Sequence, residues 1–193
     1  MTGKAVTDET LGLLARKQHD LFRRVREGTL DSDQVLAALQ RVIEGDFGTR
    51  TIDCDAPIPD GIKEGFERRD EDQLRSRVRG KVAVDPANPF NTFLTEGQKA
   101  GRVGGNDVLA ELRRLEVSVY GIAALEQFRR DGLIPDEFKG QAIFAWGDIL
   151  RGGDGYRYVC YVYWDGGGWD WHCLWIGSVW GSSYSAAVRA SSA

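Results

Sequence analysis

Residues 141–177 read QAIFAWGDILRGGDGYRYVCYVYWDGGGWDWHCLWIG. Three segments rich in β-branched and aromatic residues, 141–151, 156–164 and 169–177, are separated by the turn signals GGDG and DGGG. Short Gly/Asp turns between such segments predict an antiparallel meander. In the third segment a period of two puts Trp169, Trp171, Cys173 and Trp175 on one face. Asp170, His172, Leu174 and Ile176 fall on the other. Trp146, Trp169, Trp171 and Trp175 are expected in the core, where one indole buries about 150–250 Å².

The opposite face has an unusual composition. A solvated sheet face ordinarily carries Lys, Glu and Thr. Here Asp170, His172, Leu174 and Ile176 are followed by Ser178, Val179, Ser182, Ser183 and Tyr184, and no lysine follows Lys139. Depletion of Lys and Glu with enrichment of Tyr, Trp, Ser, Gly and Asp is the composition of interface cores and paratopes. A binding surface is expected here, with a second face covered by helices as the alternative.

Upstream the chain changes character. From Gly140 onward only Asp148, Arg151, Asp154, Arg157, Asp165, Asp170 and Arg189 are charged; the first 139 residues hold all the other charges. Leu11, Leu14, Gln18, Leu21, Phe22 and Val25 recur at helical spacing, with Gly28 as a stop. A second helix is expected from Asp31 and Gln34, a capping-box pattern, through Val35, Leu36, Leu39, Val42 and Ile43 to Gly45. Such a hairpin cannot bury both stripes alone and must pack on the rest of the chain or on a partner. Residues 46–62 read as linker with a short extended stretch at 51–54. The charged run IKEGFERRDEDQLRSRVRGKV reads as a solvated helix or loop. Pro86 and Pro89 make the next stretch extended. Two consecutive helices follow, 105–117 with Asn106 as N-cap and 118–132, the second ended by Gly132.

The class expected is α+β: a helical hairpin at 1–46, a linker and charged segment at 47–82, and a domain at 83–193. The formal net charge of −4 gives no argument for a nucleic-acid or membrane surface. The start has no apolar signal region and no segment is long enough to span a bilayer, so the expected compartment is cytoplasmic, without membrane insertion. Cys54, Cys160 and Cys173 form an odd, widely spaced set with no CxxC and read as reduced thiols. No metal or cofactor is expected: there are only two histidines, His19 and His172, and no zinc spacing. His172 and Cys173 are strand neighbours pointing to opposite faces, which argues against a catalytic Cys–His pair. Asp165 and Asp170 are the remaining candidates for paired carboxylates.

The segment 133–177, LIPDEFKGQAIFAWGDILRGGDGYRYVCYVYWDGGGWDWHCLWIG, resembles the C-terminal frame of the variable proteins of diversity-generating retroelements, built on a C-type lectin-like fold. The resemblance implies a fold of two helices and a Trp-rich antiparallel sheet, with a variable region at about 156–185. Those elements mutate adenines; the Trp codon TGG has none, whereas codons such as AAC scatter to Asp, His, Cys, Ser, Tyr, Gly, Val, Ile and Leu. Carried over by position, the fixed frame is Trp146, Gly147, Tyr163, Trp164, Gly166, Trp169, Trp171 and Trp175. The ligand-binding set it implies is Cys160, Tyr161, Asp165, Gly168, Asp170, His172, Cys173, Leu174, Gly177, Ser178 and Val179, extended by Ser182, Ser183 and Tyr184. The implied function is non-enzymatic binding of a protein or other macromolecule. Typical lectins of this fold carry paired disulfides and a calcium site around Trp-Asn-Asp, and this chain has neither pattern. A carbohydrate-binding module, an assembly protein using the Trp-rich face, and a small hydrolase using the Asp pair are the rival readings.

Overall fold

The computed structural model describes residues 7–43 and 49–190 and divides into two compact units, 1–48 and 49–193. The first is a helical hairpin. α1 (Asp8–Arg26) is N-capped by the Thr7 hydroxyl, which accepts from Thr10 N at 3.3 Å, and carries Asp8 and Glu9 in its first turn and Arg23, Arg24 and Arg26 in its last. That charge order complements the helix dipole. Gly28, at φ 70°, turns the chain out of the helix. α2 (Ser32–Ile43) begins where Asp31 Oδ1 accepts from Gln34 N at 2.9 Å. α1 buries none of its residues, and Leu36 on α2 is 64% exposed. Gly45 and the boundary expected at 46/47 lie outside the described residues.

The second unit starts earlier than expected. The stretch read as linker and solvated charge is folded into it, as β1 (Arg50–Asp53), α3 (Asp60–Lys63), β2 (Phe66–Arg68), a 3-10 turn at Asp70–Asp72, and β3 (Lys81–Val84). Ile52, Cys54, Leu74, Val78 and Val82 are core residues. The run looked solvated because its apolar residues are sparse, and most of its charges are exposed, but two of them are buried and paired. Asp72 is buried and accepts a two-pronged bond from Arg151, at 2.7 and 3.1 Å. Arg77, also buried, reaches Asp55, Asp148 and the Cys54 carbonyl.

β4 (Asn91–Phe93) leads to α4 (Glu96–Ala100), whose N-terminus is a complete capping box of Thr95 and Gln98. β5 (Val103–Gly104) runs into α5 (Gly105–Leu115) and then α6 (Ile122–Arg130). α5 is capped at Gly104, not Asn106; Asn106 Oδ1 instead accepts from Arg157 at 2.9 Å. Gly105 admits no side chain, because a Cβ there would meet the Ile176 carbonyl and the Trp180 ring.

β6 (Ala142–Gly152), β7 (Arg157–Trp164) and β8 (Trp169–Trp175) form the antiparallel meander, followed by β9 (Val179–Trp180) and β10 (Tyr184–Val188). The main sheet has the order β4-β10-β6-β7-β8, with β2 pairing the far end of β6. β10 is the departure: it lies parallel to β6 and antiparallel to β4, so the sheet is mixed. β1 pairs with β3, and β5 with β9. The β6–β7 register shifts between Phe144 and Ile149. In this bulge Gly147 N donates to the Tyr120 carbonyl, and buried Asp148 accepts from Arg68, Arg77 and Ile122 N, the last at the start of α6. The bulge thus ties the sheet to the α5–α6 corner.

The sheet separates two apolar clusters. One face packs Ile143, Ala145, Cys160 and Val162 with Tyr120, Leu125 and Phe128, and Trp169, Trp171 and Cys173 lean on it. The other packs Phe144, Trp146, Trp180 and Ile176 with Val108, Leu109 and Leu112 of α5.

Candidate functional site

β8 has the alternation its sequence predicts over most of its length. Trp169, Trp171 and Cys173 lie half-buried against the first cluster, while Asp170 and His172 are exposed. Two hydrogen bonds fix the buried side to α6. Trp171 Nε1 donates to Glu126 Oε2 at 2.7 Å, and Arg129 Nη1 donates to the Trp169 carbonyl at 3.2 Å. Burial works against the charged form of Glu126, but the bonds from Arg129 and Trp171 prevail and hold its carboxyl below the ordinary value.

On the open side, ring contacts join residues far apart in sequence. His172 stacks on Tyr161 at 5.4 Å between centroids, Tyr161 packs on Phe144 at 4.5 Å, and Phe144 packs on Tyr184 at 5.5 Å. Phe144 and Trp180 are fully buried below, 4.4 Å apart, with Trp146 4.8 Å beyond Trp180. Asp170 is paired in register with Tyr163, which is also exposed. The result is an aromatic floor carrying a surface of His172, Tyr161, Tyr163, Asp170 and Tyr184, with exposed Ser182 and Ser183 just before Tyr184. Burial, then the nearby Tyr184 and Tyr163, raise the Tyr161 hydroxyl above its usual range, so it is neutral and able to donate.

Other candidates have structural duties. Asp165 Oδ1 accepts from Gly167 N and Gly168 N, at 2.8 and 3.0 Å, and closes the β7–β8 turn. Those bonds depress its carboxyl. The Ser178 carbonyl accepts from Gly105 N. Val179 is 58% exposed beside buried Trp180. Leu174 is half-buried on the second cluster.

Three expectations need correction. Cys160 and Cys173 are joined by a disulfide across β7 and β8, with Cα atoms 3.9 Å apart. They are directly opposed in register, a proximity that the thirteen-residue separation alone does not reveal. They are therefore not thiols, Cys160 is fully buried rather than ligand-facing, and the cysteine count no longer argues for a reducing compartment. Gly177 is not a free position: a Cβ there would strike the Trp175 ring. Trp175 itself is 44% exposed, edge-on to exposed Tyr156, because the strand ends at this residue and the chain turns away.

Two positioning residues lie outside the frame and ligand-binding sets named above. Trp180 holds the floor of the open side. Gln98 is buried and donates to the carbonyls of Gly181 and Tyr184, at 3.2 and 2.6 Å, setting the loop that carries Ser182 and Ser183. The TEGQ capping-box spacing at residues 95–98 was the available signal.

Among the described residues no group of three His, Cys, Asp or Glu is placed to hold a metal ion, and no helix is long and apolar enough to cross a membrane. Comparison with protein-family models, with curated proteins and with solved structures finds no match to this chain.

Proposed function

We propose that this protein is a recognition protein that binds a protein or other macromolecular ligand, without catalysis, through the open side of its C-terminal sheet. On this reading its tail resembles the variable proteins of diversity-generating retroelements, and the second unit is a C-type lectin-like domain. The observation that carries the reading is the division within β8: Trp169 and Trp171 are anchored to α6, while Asp170 and His172 stand in solvent on the same strand. A rigid strand presenting short polar and aromatic groups binds with little ordering cost.

A displayed library tests it. Asp170, His172, Ser182 and Ser183 are randomised together while Asp165 and the Trp positions are kept, and folded members are selected against a panel of purified proteins. Retained folding with specific binders is expected. General unfolding, or no binder from a folded library, would overturn the proposal. The flanking DNA gives an independent check: a reverse transcriptase gene with a near-copy of the 156–185 coding sequence, differing at adenines, is expected.

A second reading has one observation in its favour. Tyr156 and Trp175, both exposed and 5.4 Å apart, form a pair suited to stacking on sugar rings. Binding on a glycan array that is lost in Trp175→Ala and kept in His172→Ala would replace the protein ligand with a carbohydrate.

A further inference from the structure

We infer that the free edge of β8 is a second docking site, one that takes an extended peptide as a further strand of the main sheet. This site adjoins the open side described above, sharing Asp170 and His172 with it, but it is carried by the main-chain edge of the strand, and neither reading depends on the other.

The argument begins with the ladder. β8 ends the sheet and pairs with β7 only. In an antiparallel pair, alternate residues turn their N–H and C=O groups towards the neighbour and the others turn them away. Two bonds at the ends of the ladder fix the phase: Asp165 N donates to the Gly168 carbonyl, and Ile176 N to the Arg157 carbonyl. Asp170, His172 and Leu174 therefore bond to β7, while Trp169, Trp171, Cys173 and Trp175 face outward. The outermost carbonyls are occupied, Trp169 O by Arg129 and Trp175 O by Ser178 N. Between them stand the N–H and C=O groups of Trp171 and Cys173. They are two residues apart, about 7 Å along the strand, and no protein group among the described residues bonds to them.

A groove runs beside this row, with a cavity of about 490 Å³. Trp171 and Cys173 form its near wall, and Pro59, Ile62 and Phe66 line it as well. It follows the strand. Arg129 lines it and bonds to Trp169 at one end of β8, and Phe66 packs at 5.3 Å on Tyr158, the partner of Trp175 at the other. The charges that line it, Arg129 and Asp170, both belong to the Trp169 end, and Arg129 is already paired with Glu126. Beside Trp171 and Cys173 it offers the imidazole of His172 but no Lys, Arg or carboxylate to match a charged guest, and burying an unmatched charge is costly.

These features define the occupant. Paired main-chain donors and acceptors at a two-residue repeat are satisfied by another β-strand, and the apolar wall takes an uncharged, apolar side chain at its centre. Edge strands that are not used are commonly protected by Lys, Pro or a bulge. β8 has no Lys and no Pro, and its pairing with β7 is regular from end to end.

The experiment selects linear peptides from a random displayed library on the full chain, then measures amide hydrogen exchange and scans the selected peptides with N-methyl groups. Expected are peptides with a central apolar residue that slow exchange at Trp171 and Cys173. N-methylation at alternate peptide positions should weaken binding by on the order of tenfold or more, and at the intervening positions by little. Tyr163→Ala and Ser183→Ala should change affinity by less than about twofold, since neither side chain lines the groove. Selected peptides that are insensitive to N-methylation and lost in Tyr163→Ala would overturn the edge site while leaving the open side standing. A failure to enrich any peptide would overturn the edge site and say nothing against the open side. Protection of Trp171 and Cys173 in a concentration-dependent dimer without peptide would overturn the choice of partner in favour of a second copy of the chain.

Discussion

The indole N–H of Trp171 donates to Glu126 at 2.7 Å, so a strand that shows His172 to solvent is pinned on its other side to α6. Replacing Trp171 by Phe keeps most of the packing but removes a bond to a half-buried carboxylate. A stability loss of about 1–3 kcal/mol is expected. His172→Ala should cost less than about 0.5 kcal/mol. Urea unfolding of the two variants checks the contrast, and equal losses would contradict the division of β8 into an anchored and a displayed side.

The same carboxylate predicts a pH dependence. Glu126 is held below its ordinary value in the folded chain, so folding favours its ionised form. Its contribution is full above the unfolded carboxylate value and is lost as pH falls through the lower folded value. Thermal unfolding followed from neutral to acid pH should show this loss in the parent, and Glu126→Gln should flatten that part of the profile.

Thiol counting tests the cysteine chemistry. Cys54 is buried, and burial pushes its thiol up to about 11, which makes it a poor nucleophile at neutral pH. Without reductant, a thiol reagent should find no reactive group in the native protein and one per chain in denaturant. Three in denaturant would remove the Cys160–Cys173 bond.

Asp148 is fully buried and joins Arg77, Arg68 and the first turn of α6. Asp148→Asn leaves the buried Arg77 guanidinium with Asp55 as its remaining carboxylate and should cost about 3–5 kcal/mol. Glu67→Gln breaks an exposed pair with Arg69 and should cost less than about 1 kcal/mol. Chemical denaturation of both variants gives the comparison.

Ser185 is buried on β10, and its hydroxyl has no hydrogen-bond partner among the described residues. Removing an unsatisfied polar atom without changing the backbone should be neutral or stabilising, by up to about 1 kcal/mol for Ser185→Ala. A rise or standstill in melting temperature is the expected result.

Local patterns carried the local structure. The hairpin caps at Asp31 and Gln34, the three meander strands, and the alternation from Trp169 to Cys173 follow from spacing and turn residues. What was not legible depends on partners distant in the chain. β10 is a modest YSAAV run whose strand state comes from lying between β4 and β6. The 47–82 segment looked solvated because its apolar residues are sparse and its charges many; the burial of Asp72 and Arg77 among them depends on Arg151 and Asp148, more than seventy residues away, with Asp55 as a nearer partner of Arg77. At the site, period two separated Asp170 and His172 from the tryptophans, but it could not show that Cys160 and Cys173 oppose each other or that Trp175 ends the strand exposed.

β10 is the last strand among the described residues, yet it occupies an interior position in the sheet, between β4 and β6. A nonsense codon anywhere from position 157 to 183 would yield a product that has spelled out part or all of the displayed strands and lacks their keystone. Such a product has no route to the finished sheet. Completion of the sheet thus requires translation through the whole region proposed to vary, and copies that stop short of β10 are expected to fail to fold.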